Sequence, residues 1–470
     1  MSATATTEKK YLKWYQKLAY GSGDLASNCS YGLVSSFVLL YLTGTLGLDS
    51  AIIGSLMLAS KVLDGISDVI FGTLIDRTHS KLGKARPWML FGQVGVSLCL
   101  FLLFAIPAGS TTIQYIYFFI VYTALNAVFY TANGIAYSSL VALITKNNNE
   151  RVQLGSFRFM FAVVTNIFMG FAVTGMVEKF GSGAAGWRTT ALIFAIVGLV
   201  VNTISCLAVK ELPEEELSDN TSEAAEEGKA VAKEKKHGFA ETAKILIHNK
   251  YYLMILAIYI VYYIMSNLTT GAGVFCATYY WGDGSLLGQF SMMKMFPVII
   301  ALAIAPVLIK KTGSMQKVNF WGYAISSVLG IPMIYFAMQK NLSMFLLFMF
   351  IKGVFAGTLS GSLNALIAEA SGYTTRTTGV HMDGMMYSCS SLGVKVGGGI
   401  GTAAVGWLLK LGGFVGTATV QSESAIRMIF NLYITFPFVI GIIITVLLAF
   451  LDVEKANKKW DAEHQKEAQA

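Results

Sequence analysis

The feature that most constrains this 470-residue chain is a series of twelve long apolar runs. A helix needs about 20 mostly apolar residues to cross the hydrocarbon core of a bilayer, and each run is long enough. Charged residues make up 13% of the chain, far below the share of about 25% that is usual for soluble proteins. We therefore predict an all-α integral membrane protein, and this composition argues against a soluble enzyme.

The twelve predicted spans form two groups of six. The first group is Leu25–Thr43, Ile52–Ile75, Trp88–Ile106, Tyr115–Ile144, Phe157–Val177 and Ala191–Val209. The second group is Leu253–Tyr280, Leu286–Ile309, Phe320–Met338, Met344–Ala368, Met385–Leu409 and Ile426–Leu451. We predict two six-helix bundles, and a duplicated six-span unit is the obvious hypothesis.

The segment between the two groups is hydrophilic. It contains ELPEEELSDNTSEAAEEGKAVAKEKKHG, a composition typical of a solvated linker, and then GFAETAKILIHNK, which could form an amphipathic surface helix. We predict an N-terminal bundle at 1–209, a cytoplasmic linker at 210–250, a C-terminal bundle at 251–452 and a cytoplasmic tail at 453–470.

Positive charge is distributed unevenly between the two sets of loops. Most of the 35 lysines and arginines lie in the terminal segments, the linker and the loops on the same side of the spans. The opposite loops contain few, such as Lys179, Arg188 and Lys340. Because cytoplasmic loops of membrane proteins are enriched in lysine and arginine, we expect both termini and the linker to lie in the cytoplasm. We expect the membrane to be that of a bacterial cell. The asymmetry explains the net charge of +8 without a nucleic-acid partner.

The second predicted span contains three ionisable side chains. Lys61, Asp64 and Asp68 are spaced i, i+3 and i+7, which places them on one helical face. Each costs about 2.5–3.5 kcal/mol inside a membrane and therefore needs a reason. A purely structural ion-pair network is one explanation, but the second aspartate leaves an excess negative charge. Two nearby carboxylates raise each other's proton affinity, so we favour a site that binds and releases H⁺ or a small cation.

Other cations also interrupt the apolar runs. Arg158 begins the fifth span and could be either a cytoplasmic anchor or a cavity residue. Lys395 lies in the middle of the eleventh span, so we expect it to face a cavity. Lys294 and Lys352 lie nearer span ends, where we expect their ammonium groups to extend to the interface.

Polar and aromatic side chains cluster in the first, fourth and fifth spans. Amides and aromatic faces suit a sugar, although hydrogen bonding between helices explains any single one of them equally well. The residues are Asp24, Asn28, Tyr31, Tyr130, Asn133, Tyr137 and Asn166. The glycines at 397–399 and 401 allow either close helix approach or bending, and the sequence does not separate these uses.

Several motifs together resemble one family. They are YGSGDLASN from Tyr20, LDGISDVIFG from Leu63, GKARPW from Gly83, YTANGIAYSSL from Tyr130, and the segment from DGMMYS to KVGGG. The chain resembles the glycoside–pentoside–hexuronide:cation symporters of the major facilitator superfamily over most of its length. The resemblance implies twelve transmembrane helices in two bundles and a rocking, alternating-access mechanism.

The resemblance also implies roles for individual residues. Asp64 and Asp68 would serve the coupling cation, Lys395 would lie near both sites, and Arg158 would lie near the sugar. The run GTLIDRTHSKLGKARPW resembles the superfamily's cytoplasmic loop motif, which helps to stabilise an outward-facing state. The matching residues are Asp76, Arg77, Lys84 and Arg86.

The chain departs from the family pattern at informative places. Asn28 and Asn133 stand where melibiose-type members carry acids, which fits an anionic glucuronide but equally permits a neutral xyloside. Ser67 and Tyr130 stand where sodium-using members place an amide and a hydroxyl, which favours H⁺ over Na⁺. The run EASGY from Glu369 matches the tenth-to-eleventh loop only weakly.

We therefore expect a cation-coupled symporter of a small sugar or glycoside, working as a monomer in a lipid bilayer. Asp64, Asp68 and Lys395 would serve the coupling cation, which is H⁺ or Na⁺. The residues expected along the substrate path are Asp24, Asn28, Tyr31, Asn133, Tyr137, Arg158 and Lys395. The alternatives are a neutral pentoside, xyloside or galactoside carried with Na⁺, a lipid with a charged head group, a sugar sensor without flux, and a membrane-embedded enzyme. The histidines fall in predicted loops or tails, so we expect no cofactor and no metal beyond a coupling ion.

Overall fold

The computed structural model describes residues 9–213, 245–379, 383–418 and 420–467, and of the residues 148, 383–384 and 464–467 it describes the backbone only. Helices dominate, and these described residues contain no β-strand. The helices form two compact units. Unit 1 contains the helices before the predicted linker, and unit 2 contains those after it. The predicted boundaries at 210 and 250 border a segment that lies mostly outside the described residues, as does most of the predicted amphipathic helix.

Unit 1 contains eight α-helices within residues 9–213. They are α1 (Trp14–Gly21), α2 (Gly23–Leu40), α3 (Ser50–Asp76), α4 (Arg86–Leu103), α5 (Thr111–Thr123), α6 (Thr131–Ile144), α7 (Asn148–Lys179) and α8 (Gly183–Leu207). A π-helical segment at Tyr41–Thr45 extends α2, and another at Ala124–Tyr130 joins α5 to α6 into one span.

Residues 245–248 of unit 2 are helical, and eight longer helices follow them among the described residues. They are α9 (Lys250–Phe275), α10 (Leu286–Thr312), α11 (Met315–Met338), α12 (Leu342–Thr378), α13 (Asp383–Leu411), α14 (Glu423–Phe430), α15 (Phe436–Phe450) and α16 (Val453–Glu467). The π-helical segment Cys276–Tyr280 extends α9, and Asn431–Thr435 joins α14 to α15.

Eleven helical segments of the described chain are long and apolar enough to cross a membrane. The long helix outside that set is α3, which covers the predicted span Ile52–Ile75 in 27 residues. Its side chains Val62, Ile66 and Val69 are exposed on one side of the helix, where they can contact lipid. With α3 included, the helices correspond to the twelve predicted spans.

Polar side chains at the helix starts explain where several spans begin. The first backbone N–H groups of a helix have no partner within it, so a preceding side-chain oxygen accepts from them. Asp49 accepts from the amides of Ala51 and Ile52, and Asn249 accepts from those of Tyr251 and Tyr252. Ser110, Asn147, Ser314, Asn341 and Ser422 cap their helices in the same way.

The glycines of α13 serve close packing against α9. A Cβ atom on Gly397 would lie 2.4 Å from the carbonyl oxygen of Ile260. One on Gly401 would lie 2.6 Å from the carbonyl oxygen of Ile264. The structure therefore favours close helix approach over bending as the use of these two glycines.

Candidate functional site

An ion pair joins the start of α2 to α7 inside unit 1. Arg158 Nε lies 2.6 Å from Asp24 Oδ2, and the guanidinium carbon lies 4.1 Å from the centre of the Tyr137 ring. The side chain of Asp24 is 18% exposed and that of Arg158 is 25% exposed. A charge-assisted hydrogen bond and a cation–π contact thus hold the guanidinium. Arg158 therefore has partners inside unit 1, and its place near a sugar stays a prediction.

Tyr137 is held in a fixed orientation by the backbone of α1. Its hydroxyl donates to the carbonyl oxygen of Tyr20 at 2.8 Å and lies 3.4 Å from Asp24 Oδ2. The hydroxyl of Tyr20 in turn donates to the carbonyl oxygen of Tyr137. Both rings are fully enclosed, so the face that Tyr137 presents to Arg158 is rigid.

Two side-chain amides, one on α2 and one on α7, continue this cluster. Asn28 follows Asp24 by one turn and donates to the carbonyl oxygen of Asp24 at 2.7 Å. Asn166 of α7 donates to Asn28 Oδ1 at 2.9 Å. We call the residues Asp24, Asn28, Tyr137, Arg158 and Asn166 the Arg158 cluster.

A second cluster surrounds Asp64 of α3. Lys61 Nζ lies 3.4 Å from Asp64 Oδ2, and the hydroxyl of Thr131 donates to Asp64 Oδ1 at 2.7 Å. Asp64 follows the start of α3 by 14 residues, or about 21 Å along the helix, which is close to the middle of a bilayer-spanning segment. The residues Lys61, Asp64 and Thr131 form what we call the Asp64 cluster.

A pair of stacked tyrosines lies between these clusters. The rings of Tyr31 and Tyr130 are 5.5 Å apart with an interplanar angle of 26°, and Lys61 Nζ lies 6.0 Å from the centre of the Tyr31 ring. Tyr31 lies seven residues after Asp24, hence on the same face of α2. Helix α2 therefore carries Asp24 and Asn28 of the Arg158 cluster and also Tyr31, which lies close to Lys61 of the Asp64 cluster.

Asp68 and Lys395 lie on spans as predicted, and both side chains are partly exposed. Asp68 follows Asp64 by one turn of α3, so the two carboxylates share a helical face. Lys395 lies on α13 in unit 2. Their roles in cation coupling stay predictions.

Asn133 has a different environment from the other polar residues. It is 3% exposed, and its side-chain amide donates to the carbonyl oxygen of Met89 at 2.8 Å, with Gln93 Oε1 at 3.4 Å and Asn202 Oδ1 at 3.5 Å. These partners belong to α4 and α8. Hydrogen bonding between helices, the alternative that the sequence left open, is the use that this geometry favours for Asn133.

Residues 19–455 match the family model for MFS/sugar transport proteins. The chain belongs to the MFS/sugar transport protein family. The match spans both units and confirms the predicted relationship to the glycoside–pentoside–hexuronide:cation symporters of the major facilitator superfamily.

Individual relatives of this MFS/sugar transport protein agree with that placement. It is 26% identical to the isoprimeverose transporter of Lactiplantibacillus pentosus over 98% of this chain and 93% of the relative. It is 23% identical to the glucuronide carrier protein homolog of Escherichia coli strain K12 over 86% of this chain and 85% of the relative. The crystal structure of a D-xylose–proton symporter superposes with a TM-score of 0.64 at 11% identity, covering 94% and 98% of the two chains. At that identity the likeness shows the fold alone, which is the predicted twelve-helix fold.

The loop motif of this MFS/sugar transport protein is anchored by a residue that sequence reasoning missed. The carboxylate of Glu211 accepts hydrogen bonds from the backbone amides of Lys84, Ala85 and Arg86 at 2.7, 2.9 and 3.0 Å. Glu211 thereby caps the start of α4, where partly positive amide groups favour an anion. Its position at the start of a charged, linker-like run concealed this use.

The predicted motif residues differ in how deeply they are buried. Arg86 is buried and donates to the carbonyl oxygens of Cys206 and Leu82 at 3.2 and 3.4 Å. Asp76 and Arg77 are exposed at the end of α3, and Lys84 is half-buried. The expected effect of the motif on an outward-facing state stays a prediction.

Thr131 is a further residue that the sequence did not single out. Tyr130, the residue that the family comparison places beside the aspartates, stacks on Tyr31, whereas the hydroxyl of the next residue, Thr131, donates to Asp64. The π-helical segment Ala124–Tyr130 ends at this point. Such a segment alters the helical phase of all later residues, so simple spacing could not identify Thr131.

Lys294 and Lys352 also differ from expectation. Both were expected to extend to the interface, yet both line a cavity of unit 2. Within the described chain, no group of histidine, cysteine or acidic residues could hold a metal ion.

Proposed function

We propose that this protein is a secondary active transporter that carries a glycoside or hexuronide, such as a glucuronide, together with a cation. The observation that supports this most is the Asp64 cluster, a carboxylate at membrane depth that has a lysine and a hydroxyl as neighbours. A charge in such a position is expensive and usually marks an ion pathway. Family membership supports transport over catalysis, so we propose no enzymatic activity.

The coupling step follows from competition for Asp64. Lys61 and a coupling cation both require this carboxylate, and protonation of Asp64 or binding of a cation would weaken the 3.4 Å pair with Lys61. Lys61 also lies over Tyr31, whose helix carries Asp24 and Asn28. Loading the cation would therefore alter the sugar side through α2. By linkage, the sugar would raise cation affinity by the same factor.

The Arg158 cluster is proposed as the sugar side. Asn28 and Asn166 bond to each other, and sugar hydroxyls can replace such amide bonds. The enclosed ring of Tyr137 holds the guanidinium of Arg158 in place, and Arg158 has N–H donors for sugar hydroxyls. A neutral pentoside, xyloside or galactoside would use the same groups, with Arg158 remaining on Asp24.

We propose H⁺ as the coupling ion, as the absence of an amide at Ser67 suggests. One observation favours Na⁺ as the second candidate. The hydroxyl of Thr131 lies 2.7 Å from Asp64 Oδ1, and hard cations prefer such oxygen ligands. Uptake driven by a pH gradient alone, compared with a Na⁺ gradient alone, separates the two ions.

The remaining parts of the proposal concern its cellular setting. We propose that the protein acts as a monomer in the bacterial cell membrane with both termini and the linker in the cytoplasm. It needs no cofactor beyond the coupling ion. A sensor without flux and a lipid cargo are the competing functions.

The test uses proteoliposomes that contain the full chain. The double variant Asp64→Asn, Asp68→Asn should lose gradient-driven accumulation of a glycoside but keep counterflow, because exchange does not need net ion movement. Glu423→Gln, an exposed acid at the start of α14, is the matched control and should accumulate normally. Accumulation that survives in the double variant would refute the coupling site. Absence of counterflow in the native protein across a glycoside panel would favour a sensor.

A further inference from the structure

Unit 2 contains a partly open cavity of about 180 Å³ among α9, α10, α11, α12 and α15. A single water needs roughly 10–15 Å³ by this measure, so the space admits on the order of a dozen waters or one small sugar. Two lysines, Lys294 of α10 and Lys352 of α12, line it. The proposed sugar side in unit 1 does not include either of them.

Both lysines lie too deep to reach the interface easily. Lys294 follows the start of α10 by eight residues and Lys352 follows the start of α12 by ten, or about 12 and 15 Å along each helix. Because one span separates α10 from α12, both helices begin on the same side of the membrane. The two ammonium groups therefore enter the cavity at similar depth.

The cavity supplies no negative charge for these cations. Lys294 Nζ donates to the hydroxyls of Thr269 and Thr270 at 3.3 and 3.1 Å, and these are neutral partners. The lining residues include no aspartate or glutamate. In unit 1, by contrast, Arg158 and Lys61 each have a carboxylate partner. Two uncompensated cations in one cavity at membrane depth are costly and call for an anion.

A buried hydroxyl gives a second, independent indication of a ligand. Tyr323 is 2% exposed and lines the cavity, and its hydroxyl has no hydrogen-bond partner among the described residues. Leaving such a group unpaired costs about 1–3 kcal/mol, which a bound polar ligand would recover. Tyr262 and Ser360 add a hydroxyl pair at 2.7 Å to the same lining.

The rest of the lining suits a sugar ring. Phe345, Phe438 and Tyr433 supply apolar aromatic surface, and Ser266 and Ser326 supply further hydroxyls. Aromatic surface combined with a few convergent polar groups is characteristic of ligand pockets. An anion-selective site for an inorganic ion would not need this aromatic surface.

We propose that Lys294 and Lys352 form a binding site in unit 2 for the carboxylate of a sugar acid, with Tyr323 as a further donor. This inference rests on the proposed transport function, which it deepens by assigning the groups that recognise an anionic sugar. Neutral glycosides would leave both ammonium groups without a counter-charge and would bind more weakly.

The test measures binding to the purified full chain with matched probes, 4-nitrophenyl β-D-glucuronide and 4-nitrophenyl β-D-glucoside. In the native protein, the glucuronide should bind at least tenfold more tightly than the glucoside. Lys294→Gln and Lys352→Gln should each reduce that ratio about tenfold, mainly by weakening the glucuronide. Lys459→Gln, an exposed lysine of α16, should leave the ratio unchanged.

Further measurements separate the possible failures. Lys294→Arg and Lys352→Arg keep the charge and should retain most of the preference, and all variants are checked for monodispersity and helix content. An unchanged ratio in both glutamine variants, or no preference in the native protein, would overturn the site. The site would also be overturned if phosphatidylglycerol, but not the glucuronide, stabilised the native protein against unfolding, because the lysines would then bind a lipid head group. Counterflow of a neutral glycoside reports on the proposed transport function separately.

Discussion

Replacing Asp24 by Asn tests how strongly the Arg158 cluster depends on its ion pair. The substitution keeps the size of the side chain but removes the charge that lies 2.6 Å from Arg158 Nε. A hydrogen bond to a charged group contributes about 1.5–3 kcal/mol. Arg158 keeps the Tyr137 ring at 4.1 Å in the variant, so this cation–π contact does not enter the difference in stability.

The expectation for Asp24→Asn is therefore a loss of about 1.5–3 kcal/mol in the free energy of unfolding. Arg158→Gln should cost a similar amount, because it leaves the Asp24 carboxylate without its partner. The double variant should cost clearly less than the sum of the two single variants, giving a coupling energy of about 1–3 kcal/mol.

The assay is chemical unfolding in mixed micelles, followed by loss of helical signal, for the native protein and the three variants. The exposed pair of Glu423 and Arg427 gives a matched cycle, since its side chains are 89% and 73% exposed. That control should show a coupling energy below about 0.5 kcal/mol. Additive losses in the Asp24 and Arg158 cycle would refute the idea that the pair acts as a unit.

Two further predictions follow from single contacts. Thr131→Val removes the hydroxyl that donates to Asp64 at 2.7 Å and should lower the apparent affinity for the coupling cation, whereas Thr131→Ser should keep most of that affinity. Glycoside uptake measured at increasing cation concentration tests this, and the same half-saturating cation concentration in both variants would contradict the role of Thr131. Gly401→Ala should destabilise the protein by about 1–3 kcal/mol, because the added Cβ would meet the carbonyl oxygen of Ile264. Gly175→Ala, with open space around it, should be neutral or stabilising. Thermal unfolding of both variants tests this, and equal changes in the melting temperature would contradict the packing argument.

Much of the architecture could be predicted from the sequence because its determinants are local. Membrane insertion depends on apolarity summed over about 20 adjacent residues, and the twelve runs therefore identify the spans. The shared face of Lys61, Asp64 and Asp68 likewise follows from helical periodicity alone. Motifs in short runs were enough to indicate the family.

Contacts between distant helices could not be predicted in the same way. Asp24 and Arg158 are separated by 134 residues, and their pairing depends on how α2 and α7 are rotated against each other. Asn133 was grouped with cavity residues because its chemistry matches theirs, yet the packing of α4 and α8 encloses it. The sequence does not state how two helices are rotated against each other, so each of these assignments required the tertiary structure.

The twelve spans, the family and the charged face of α3 were thus determined by the sequence itself. The partners of those charges were decided only by the tertiary structure. Thr131 donates to Asp64 just after a π-helical segment that changes the helical phase, and Lys294 and Lys352 line a cavity of unit 2. The physical reason is that periodicity states which residues share a face, whereas helix packing determines what that face meets.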